Sequence, residues 1–324
     1  MNHVKQFTRA SFHGIVGASV PMREVFELIK RAAKTNVSVL ISGASGTGKE
    51  LVARAIHDRS DRRNGPYLAF NIGAVTSNLI SSTLFGHRKG SFTGALENQK
   101  GHFELAHEGT IFLDEISSID EDMQIALLRV LETKTIRPIG AARSKKIDTR
   151  IIAASNKDLR KLVSANKFRE DLLFRLEVFS IHLPQLLDRR QDIPLLVDHF
   201  LQKHCRQLGR KIPGITTEAR NALYAYSWPG NVRELENTLH RAILLTDDGI
   251  RIGKKHLPSK IVTATGQREK LVIEPGMTLH AVQKRIIEMT LRSCRGNKLL
   301  AAKLLGISRK TLYNKIKQYR IGDD

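Results

Sequence analysis

The sequence predicts an α/β protein with a parallel sheet, followed by a helical subdomain and a small all-α domain. Three observations lead to this prediction. In the first half of the chain, short apolar runs alternate with helix-like stretches, and strands separated by helices form parallel sheets covered on both faces. The apolar period becomes purely helical from Ile193 to Thr246. The C-terminal part is strongly basic and divides into three short helical patterns.

Length and composition exclude several classes of protein. The 324 residues are enough for two or three domains, and 41% hydrophobic with 26% charged residues is ordinary globular usage, unlike disordered or fibrous chains. No apolar run approaches the roughly 18 residues of a membrane span, and the first residues contain no apolar signal core. The two cysteines, Cys205 and Cys294, match no metal-ligand spacing. We therefore expect a cytoplasmic protein with reduced thiols and no membrane partner.

The net charge of +21 points to a polyanionic partner. Residues 251–324 contain 17 basic and five acidic side chains, so this short segment carries +12 of that charge. The C-terminal segment is therefore the candidate for binding nucleic acid.

Apolar spacing predicts the elements of the chain in order. An amphipathic helix is expected over residues 21–33. Strands are expected at residues 37–41, 67–70, 111–113, 151–154 and 179–183, and helices at 51–57, 123–131, 219–226 and 232–245. Residues 249–276 are rich in glycine and proline and have no sustained period, which predicts a linker.

A glycine-rich loop lies between the first predicted strand and the next helix. Residues 43–49 read Gly-Ala-Ser-Gly-Thr-Gly-Lys, and this context is the one that a phosphate-binding P-loop requires. Glycines let backbone N–H groups curl around phosphates, while Lys49 supplies a positive charge. Glu50 stands where Ser or Thr usually helps to hold Mg²⁺. Taken alone, the motif leaves a purely structural glycine turn as the alternative.

Two acids end a later apolar strand. Asp114 and Glu115 follow residues 109–113, so Asp114 could bind Mg²⁺ through water and Glu115 could polarise an attacking water. On its own, this strand could simply end in solvated carboxylates. Together with the P-loop in one α/β core, it makes nucleotide hydrolysis the leading hypothesis.

One hexapeptide resembles a known family. Residues 90–95 (Gly90, Ser91, Phe92, Thr93, Gly94 and Ala95) resemble the GAFTGA loop of bacterial enhancer-binding proteins, the AAA+ activators of sigma-54 RNA polymerase. Residues 84–87, 109–115, 168–172 and 228–235 are also similar to that family, and the likeness runs from about residue 15 to residue 319. The resemblance implies an AAA+ P-loop NTPase core with a helical lid.

The resemblance assigns roles at the nucleotide site. It explains Glu50, because the family's P-loop commonly reads GTGKE, and it implies ATP binding by Gly43, Ala44, Ser45, Gly46, Thr47, Gly48, Lys49 and Glu50. Asn71 would sense the γ-phosphate through Glu115, Asn156 would be sensor I, and Arg233 would be sensor II on the lid. Asp114 would hold Mg²⁺.

Two arginines match the family's arginine fingers. The resemblance implies that Arg169 and Arg175 enter a neighbouring subunit's site, where such an arginine contributes roughly 10³ to 10⁵ in rate in other nucleotide hydrolases. Considered singly, each could instead be a surface salt-bridge partner. Fingers acting in trans imply a ring, which we expect to be a hexamer, either of one kind of subunit or mixed with a related one.

The GAFTGA-like loop is implied to contact the sigma factor. Phe92 is an apolar aromatic between small residues, which suits a protruding contact, and a buried turn is the alternative. Some positions depart from the family: Ser91 replaces Ala, and Thr83 and Arg88 replace acids. Gln185 and Leu187 break the LPPLR pattern. Arg88 reverses a charge beside the loop and affects how nucleotide state would be relayed to it.

The C-terminal segment has the pattern of a helix-turn-helix. Asn297 can cap a helix over residues 298–305, Gly306 permits the turn, and Ser308 can cap a last helix ending at Tyr319. This segment resembles the Fis-type domain of the same activators. DNA contacts are expected at Asn297, Arg309, Thr311, Asn314 and Lys315.

These inferences predict an ATP-dependent activator that binds upstream DNA and remodels sigma-54 polymerase closed complexes into open ones. The expected division is an extension over 1–11, the AAA+ domain over 12–248 with its lid over 190–248, a linker over 249–276 and the DNA-binding domain over 277–324. Since the ATPase begins by about residue 12, we expect control by a separate regulatory protein or by synthesis. The alternatives are a DNA-binding repressor, a co-activator in mixed oligomers with a weak or uncoupled ATPase, and an ATP-driven unfoldase.

Overall fold

The computed structural model describes residues 11–91, 95–264, 277–294, 297–319 and 321. The chain divides into two compact units, Met1–Pro258 and Ser259–Asp324. Among the described residues, none of the helices is long and apolar enough to cross a membrane.

A five-stranded parallel sheet forms the centre of the first unit. Its strands are β1 (Val39–Ser42), β2 (Tyr67–Asn71), β3 (Thr110–Asp114), β4 (Arg150–Ser155) and β5 (Phe179–His182), in the spatial order β5-β1-β4-β3-β2. All four pairings are parallel. The predicted parallel sheet and its five strands are therefore confirmed, with ends that shift by a residue or two.

Helices cover both faces of the sheet because successive strand residues point to opposite sides. Ile152 and Ala154 of β4 belong to one apolar cluster, and Ile151 and Ala153 belong to the other. The first cluster packs against the helices over residues 20–33 and 49–58, and the second against the helices over residues 77–85, 121–133 and 170–176. In chain order, the helices of this part of the molecule are α1 (Val20–Ala33), α2 (Lys49–Asp58), α3 (Ser77–Phe85), α4 (His102–Leu105), α5 (Glu121–Thr133), α6 (Leu159–Ser164) and α7 (Glu170–Leu176).

Short antiparallel hairpins extend from this core. One pairs Ser11–Phe12 with Ile15–Val16. A second pairs Gly86–His87 with Gln99–Lys100, and a third pairs Thr135–Ile136 with Lys145–Lys146. The second and third are joined, because the N–H of Ile139 donates to Gly86 O and the N–H of Arg88 donates to Ile139 O.

A helical lid follows the sheet within the first unit. After a 3₁₀ segment (Leu186–Asp192) come α8 (Ile193–Leu208), α9 (Thr217–Ala225) and α10 (Asn231–Leu244), as the helical period predicts. α8 and α10 pack together through buried side chains such as Leu196, Phe200, Leu239 and Ile243.

The segment predicted as a linker differs from expectation. Ile252 exchanges backbone hydrogen bonds with Gly214 and Thr216, and both Ile252 and Leu257 are buried. A 3₁₀ turn (Lys254–His256) and helix α11 (Ser259–Ala264) follow. Folded structure therefore continues at least to residue 264, because isolated apolar residues anchor a segment too short to show a period. Residues 265–276 lie outside the described part of the chain.

The second unit contains the three predicted C-terminal helices. They are α12 (Leu279–Ser293), α13 (Lys298–Leu304) and α14 (Arg309–Tyr319). Asn297 caps α13 by accepting from the N–H groups of Leu299 and Leu300, and Gly306 makes the turn with a φ of 66°. A small core joins the helices through Ile287, Cys294, Ala301, Ala302, Leu312 and Tyr319.

Candidate functional site

The loop between β1 and α2 has the backbone of a phosphate cradle. Gly46 and Gly48 have φ values of 76° and 103°, which side chains disfavour. A Cβ at Gly48 would meet nothing within 4 Å, so the loop is open on that side. A Cβ at Gly46 would overlap the carbonyl of Gly230, because the lid touches the loop there. The loop leads directly into the N-terminus of α2, where backbone N–H groups favour an anion.

The side chain of Lys49 lies inside this loop. It is only 8% exposed, and its Nζ donates to the carbonyls of Gly43 at 3.0 Å and Ala44 at 3.3 Å. Burial lowers the pKa of Lys49, and the nearby Asp114 and Glu115 carboxylates oppose that shift. The ammonium group is therefore held among carbonyl and carboxylate oxygens at the place where phosphates would enter.

Three polar side chains gather where β2 and β3 end. Asn71 pairs with Asp114 in the register of the parallel strands, so their Cα atoms are neighbours. The N–H of Glu115 donates to Asp114 Oδ1 at 2.9 Å. Glu115 has a φ of 58°, a conformation that non-glycine residues adopt rarely and that the surrounding structure must hold in place.

A cavity of about 630 Å³ unites the loop, the acids and the lid. Arg233 enters from α10, where its Nη1 lies 3.3 Å from Ser45 Oγ and its N–H donates to Gly46 O. The cavity brings together most of the residues predicted for the nucleotide: Ser45, Gly46, Thr47, Gly48, Lys49, Glu50, Asn71, Asp114, Glu115 and Arg233.

Five predicted residues do not line this cavity: Gly43, Ala44, Asn156, Arg169 and Arg175. Asn156 lines a neighbouring cavity of about 430 Å³ that it shares with Gly43 and Ala44. Arg169 binds Asp171 through Nε and Nη2, at 3.1 and 2.8 Å. Arg175 is 61% exposed and has its Nη2 3.3 Å from Glu132 Oε1. Neither arginine lines its own subunit's cavity.

The GAFTGA-like loop is described only at its base. Gly90 has a φ of 78° and donates its N–H to Ala95 O at 2.8 Å, while Ser91 N–H donates to Arg88 O. Ala95 is buried. The predicted contacts Phe92, Thr93 and Gly94 lie outside the described residues.

The predicted DNA-contacting residues divide into two groups. Arg309 and Asn314 are exposed on α14, and Arg309 lies over the ring of the exposed Tyr313, as does Lys298. Lys315 instead turns into its own domain, where Nζ donates to Gln283 Oε1 at 2.9 Å.

Two more of these residues are engaged locally. Asn297 uses its side-chain oxygen as the cap of α13, which leaves its NH₂ group available for another partner. Thr311 Oγ1 is hydrogen-bonded to Ser308 Oγ at 2.7 Å. The exposed cations at the start of α13 and α14 therefore suit phosphate contact better than Lys315 does.

Comparison with known proteins identifies the family. The model of the sigma-54 interaction domain matches residues 15–182, which is more than half of the chain. The chain belongs to the sigma-54-dependent transcriptional activators. Two further models cover the rest: the AAA+ ATPase lid domain matches residues 187–272, and the Fis-family domain of bacterial regulatory proteins matches residues 278–319.

Individual relatives support this assignment. The chain is 44% identical over 309 residues to nitrogen fixation protein AnfA of Azotobacter vinelandii, covering 95% of this chain and 57% of AnfA. It is 42% identical over 308 residues to transcriptional regulatory protein ZraR of Salmonella typhimurium, covering 95% and 69%. NtrX of Brucella abortus in complex with ATP has a TM-score of 0.74 at 32% identity, covering 99% of this chain and 72% of NtrX. The chain spans little more than half the length of several curated relatives.

Two residues at this site were not predicted from the sequence. Asn231 is buried, donates to Ser45 O at 3.0 Å and accepts the N–H of Leu186 at 2.9 Å. Arg189 is also buried, and its Nη2 donates to Thr47 O at 3.1 Å. Asn231 lies in the WPGN motif, which marks it, whereas Arg189 lies in a charged run that gives no signal. Both tie the lid to the P-loop.

The far end of the cavity also contains unpredicted side chains from α8 and α10. His199, Phe200 and Lys203 lie on α8 beside Glu236 of α10. Lys203 Nζ is 2.8 Å from Glu236 Oε1, and the ring of His204 stacks on that of His240 at 4.7 Å. Burial lowers the pKa of both His199 and His204.

Five histidines of the first unit, two of them on α8, predict a pH dependence of stability. Burial lowers the pKa of His57, His102, His199, His204 and His256 from 6.5. The unfolded chain therefore binds protons more readily, and stability is complete above about pH 6.5 and falls as the pH drops below it. In urea titrations, the unfolding midpoint of the first unit is expected to be lower at about pH 5.5 than at about pH 7.5.

Acidic side chains titrate in a lower pH range than histidines, so the two contributions to stability can be separated by pH. Acids with lowered pKa values, such as Asp171 and Asp248, lose their contribution only at more acidic pH, below about pH 5. His204→Gln cannot take up the proton and is expected to reduce the difference between the two midpoints. Equal midpoints for the unmodified protein at both pH values would contradict the assignment of neutral buried histidines.

Proposed function

We propose that this activator hydrolyses ATP in the cavity between the P-loop and the lid, and uses that energy to convert sigma-54 polymerase closed complexes into open complexes. The observation that carries the proposal is the convergence of Lys49, Asp114, Glu115 and Arg233 on one cavity between the sigma-54 interaction domain and the AAA+ lid domain. The ATP complex of the related NtrX supports nucleotide binding at this fold.

The residues present suit ATP and Mg²⁺. The open side of the loop at Gly48 leaves room for phosphate next to backbone N–H groups, and Lys49 Nζ is already directed into the loop. Mg²⁺ is commonly held by one or two carboxylates together with substrate phosphates, and Asp114 would supply such a carboxylate from the lining of the cavity. The metal would neutralise charge on the phosphates when bound.

Side chains of the protein would bind the phosphates, activate the water and sense the terminal phosphate. Lys49 and Arg233 would bind phosphate oxygens, and Glu115 would orient the attacking water and accept its proton. Asn71, next to Asp114 in the sheet, would sense whether the terminal phosphate is present. Asn156 would act from the neighbouring cavity, on the other side of Gly43 and Ala44.

Arg169 and Arg175 support a ring of subunits, proposed to be a hexamer. Arg175 is exposed, Arg169 is partly exposed, and both are outside their own cavity, so an adjacent subunit is the simplest recipient. Phe174 and Val178 flank Arg175 and are 67% and 57% exposed. Exposed apolar side chains in one place are typical of protein interfaces. A related subunit could share the ring.

The loop at residues 90–95 is proposed to contact sigma-54. Its base is bonded to the hairpin that ends next to β4, through Arg88 and Ile139. We propose that a change at the nucleotide site reaches the loop through these packed elements. The C-terminal unit is proposed to hold the protein on upstream DNA through exposed side chains such as Arg309 and Asn314.

One assay tests both ends of this mechanism. The protein is incubated with sigma-54 polymerase and a supercoiled promoter carrying candidate upstream sites, and competitor-resistant open complexes are counted. We expect open complexes with ATP, none with a nonhydrolysable analogue, and none with Glu115→Gln. A template without the upstream sites is the control for DNA binding.

Two different results of this assay would contradict the proposed function. ATP hydrolysis without open complexes, on a template that the protein binds, would contradict independent activation and favour a co-activator in a mixed oligomer. Absence of ATP hydrolysis in the assembled protein would contradict the proposed enzyme and favour a DNA-binding repressor.

A further inference from the structure

A buried glutamine joins two segments of the first unit that are far apart in sequence. Gln124 lies near the start of α5 and is only 3% exposed. Its Oε1 accepts the N–H of Arg169 at 2.8 Å, and its Nε2 donates to the carbonyls of Ile119 and Lys167, both at 3.3 Å. Because a backbone N–H donates and a carbonyl accepts, these partners fix the orientation of the amide. The side chain therefore ties the two segments together.

One of these segments follows the carboxylate that would activate water. After Glu115, a 3₁₀ turn (Ile116–Ser118) leads to Ile119, and α5 begins two residues later. Ile119 is buried in the apolar cluster that α5 and α7 share. The bond from Gln124 to the Ile119 carbonyl therefore attaches the amide to a fixed support within the same subunit.

The other segment carries the two proposed arginine fingers. Lys167 and Arg169 lie at the entry to α7, and Arg169 is the residue directly before its first helical residue. Phe168, between them, is buried in the core. Arg175 lies in the last turn of the same short helix. A shift of the backbone at Arg169 would therefore displace both guanidinium groups.

The neighbours of Gln124 on α5 show what the polar side chain adds. Met123, Leu127 and Val130 of the same helix are buried in the apolar core, so packing alone would favour an apolar residue at position 124. A buried amide is stable when its hydrogen bonds are made. Here two of those bonds go to the backbone from which the Arg169 side chain projects.

We infer that Gln124 is a positioning residue for the arginine fingers: it fixes the backbone that begins α7 and thereby serves the nucleotide site of the neighbouring subunit. The inference rests on the proposed ATPase function and on fingers that act in trans. Its effect on the reaction follows from geometry, because misplacement of a reacting group by about 1 Å can cost about 10²-fold in rate.

Gln124→Met keeps the length and approximate bulk of the side chain but removes its hydrogen bonds. We expect the ATP turnover of the assembled protein to fall about 10- to 100-fold, with ATP affinity within about twofold of the unmodified value. Affinity is preserved because Lys49 and Arg233 of the variant's own cavity are untouched. Steady-state kcat and equilibrium ATP binding measure the two quantities separately.

Thr149→Val is the matched control for the loss of buried hydrogen bonds. Thr149 is 3% exposed, and its Oγ1 bonds to the carbonyls of Phe103 and Ala106, both at 3.1 Å. Valine has nearly the same shape and removes these bonds, at a position that lines neither the nucleotide cavity nor the cavity beside Arg169. We expect the thermal midpoint to fall in both variants, and ATP turnover to fall in Gln124→Met alone.

Subunit mixing shows which site Gln124 serves. In an equimolar mixture of Gln124→Met with Glu115→Gln, about a quarter of the interfaces join an intact cavity to an intact finger, so turnover is expected to recover to roughly that fraction of the unmodified rate. In a mixture with Arg175→Ala, every finger is impaired, so turnover is expected to stay low. An effect of Gln124 on its own cavity would reverse the two results.

Several results would overturn the inference. They are unmodified turnover in Gln124→Met, recovery with Arg175→Ala in place of Glu115→Gln, and recovery in neither mixture. If Arg175→Ala mixed with Glu115→Gln also stays inactive, or if the unmodified protein hydrolyses no ATP, the proposed function fails instead.

Hydrogen exchange of backbone amides then still decides whether Gln124 holds the finger segment. Gln124→Met is expected to speed exchange in residues 167–173 and to leave exchange in β3, residues 110–114, unchanged. Unchanged exchange in residues 167–173 would refute the inference independently of any activity.

Discussion

Arg175→Ala is expected to lower ATP turnover in the assembled protein by about 10³-fold or more, while ATP affinity stays within about twofold. The arginine is outside its own cavity and exposed, so it adds nothing to ATP binding in its own subunit. A guanidinium from the neighbour would neutralise charge that develops on the transferred phosphoryl group. Turnover and equilibrium binding of ATP are measured at a protein concentration at which rings form.

Subunit mixing tests whether Arg175 acts in trans. Rings of Arg175→Ala subunits lack the finger, and rings of Glu115→Gln subunits lack the catalytic carboxylate. In an equimolar mixture, about a quarter of the interfaces join an intact cavity to an intact finger, so turnover is expected to recover to roughly that fraction. Two inactive proteins that remain inactive when mixed in one ring would contradict the trans arrangement.

A matched surface arginine controls for lost charge. Arg54 is also exposed, on α2, and pairs with Asp58 at 3.0 Å. Exposed pairs of this kind contribute about 0 to 1 kcal/mol, so both substitutions should leave stability nearly unchanged. Arg54→Ala is expected to hydrolyse ATP at close to the unmodified rate, which would separate the role of Arg175 from a general effect of removing a cation.

The strands were predictable because buried parallel strands need continuous apolar runs. Their spatial order in the sheet was not predictable from the sequence. Residues 111–113 and 151–154 are visible as strands from composition alone. That β4 lies between β1 and β3 depends on helix packing between residues far apart in sequence. Asn71 and Asp114 are the last residues of β2 and β3, and they pair with each other next to the site. Because both are polar, no apolar run in the sequence marks them as strand residues.

The candidate site was predictable where a motif carries its own chemistry. The P-loop and the two acids are contiguous in sequence, and the fold places them around one cavity. Arg189 and Asn231 were missed as site residues because their partners, Thr47 and Ser45, are more than 140 residues away. Lys315 has the residue type of a phosphate contact, yet its helix turns it toward Gln283.

Glu115→Gln is expected to lower ATP turnover by about 10² to 10⁴-fold and to leave ATP bound at least as tightly as in the unmodified protein. The amide keeps the shape of the side chain but cannot accept the proton of the attacking water. It also removes a negative charge from the cavity that would hold the phosphates, while Lys49 keeps its place in the loop. Single-turnover hydrolysis and equilibrium nucleotide binding measure the two effects separately.

Glu108 offers an unusually close control for this substitution. It has the same φ of 58° as Glu115, is exposed, and does not line the nucleotide cavity. Glu108→Gln therefore makes the same chemical change in the same backbone conformation, and we expect normal turnover. If Glu115→Gln kept more than about a tenth of the unmodified rate, another group would have to orient the water. The proposed ring would then have to be tested for a base supplied by a neighbouring subunit, and Glu121 and Glu170, which line one cavity together with Arg169, are the first candidates.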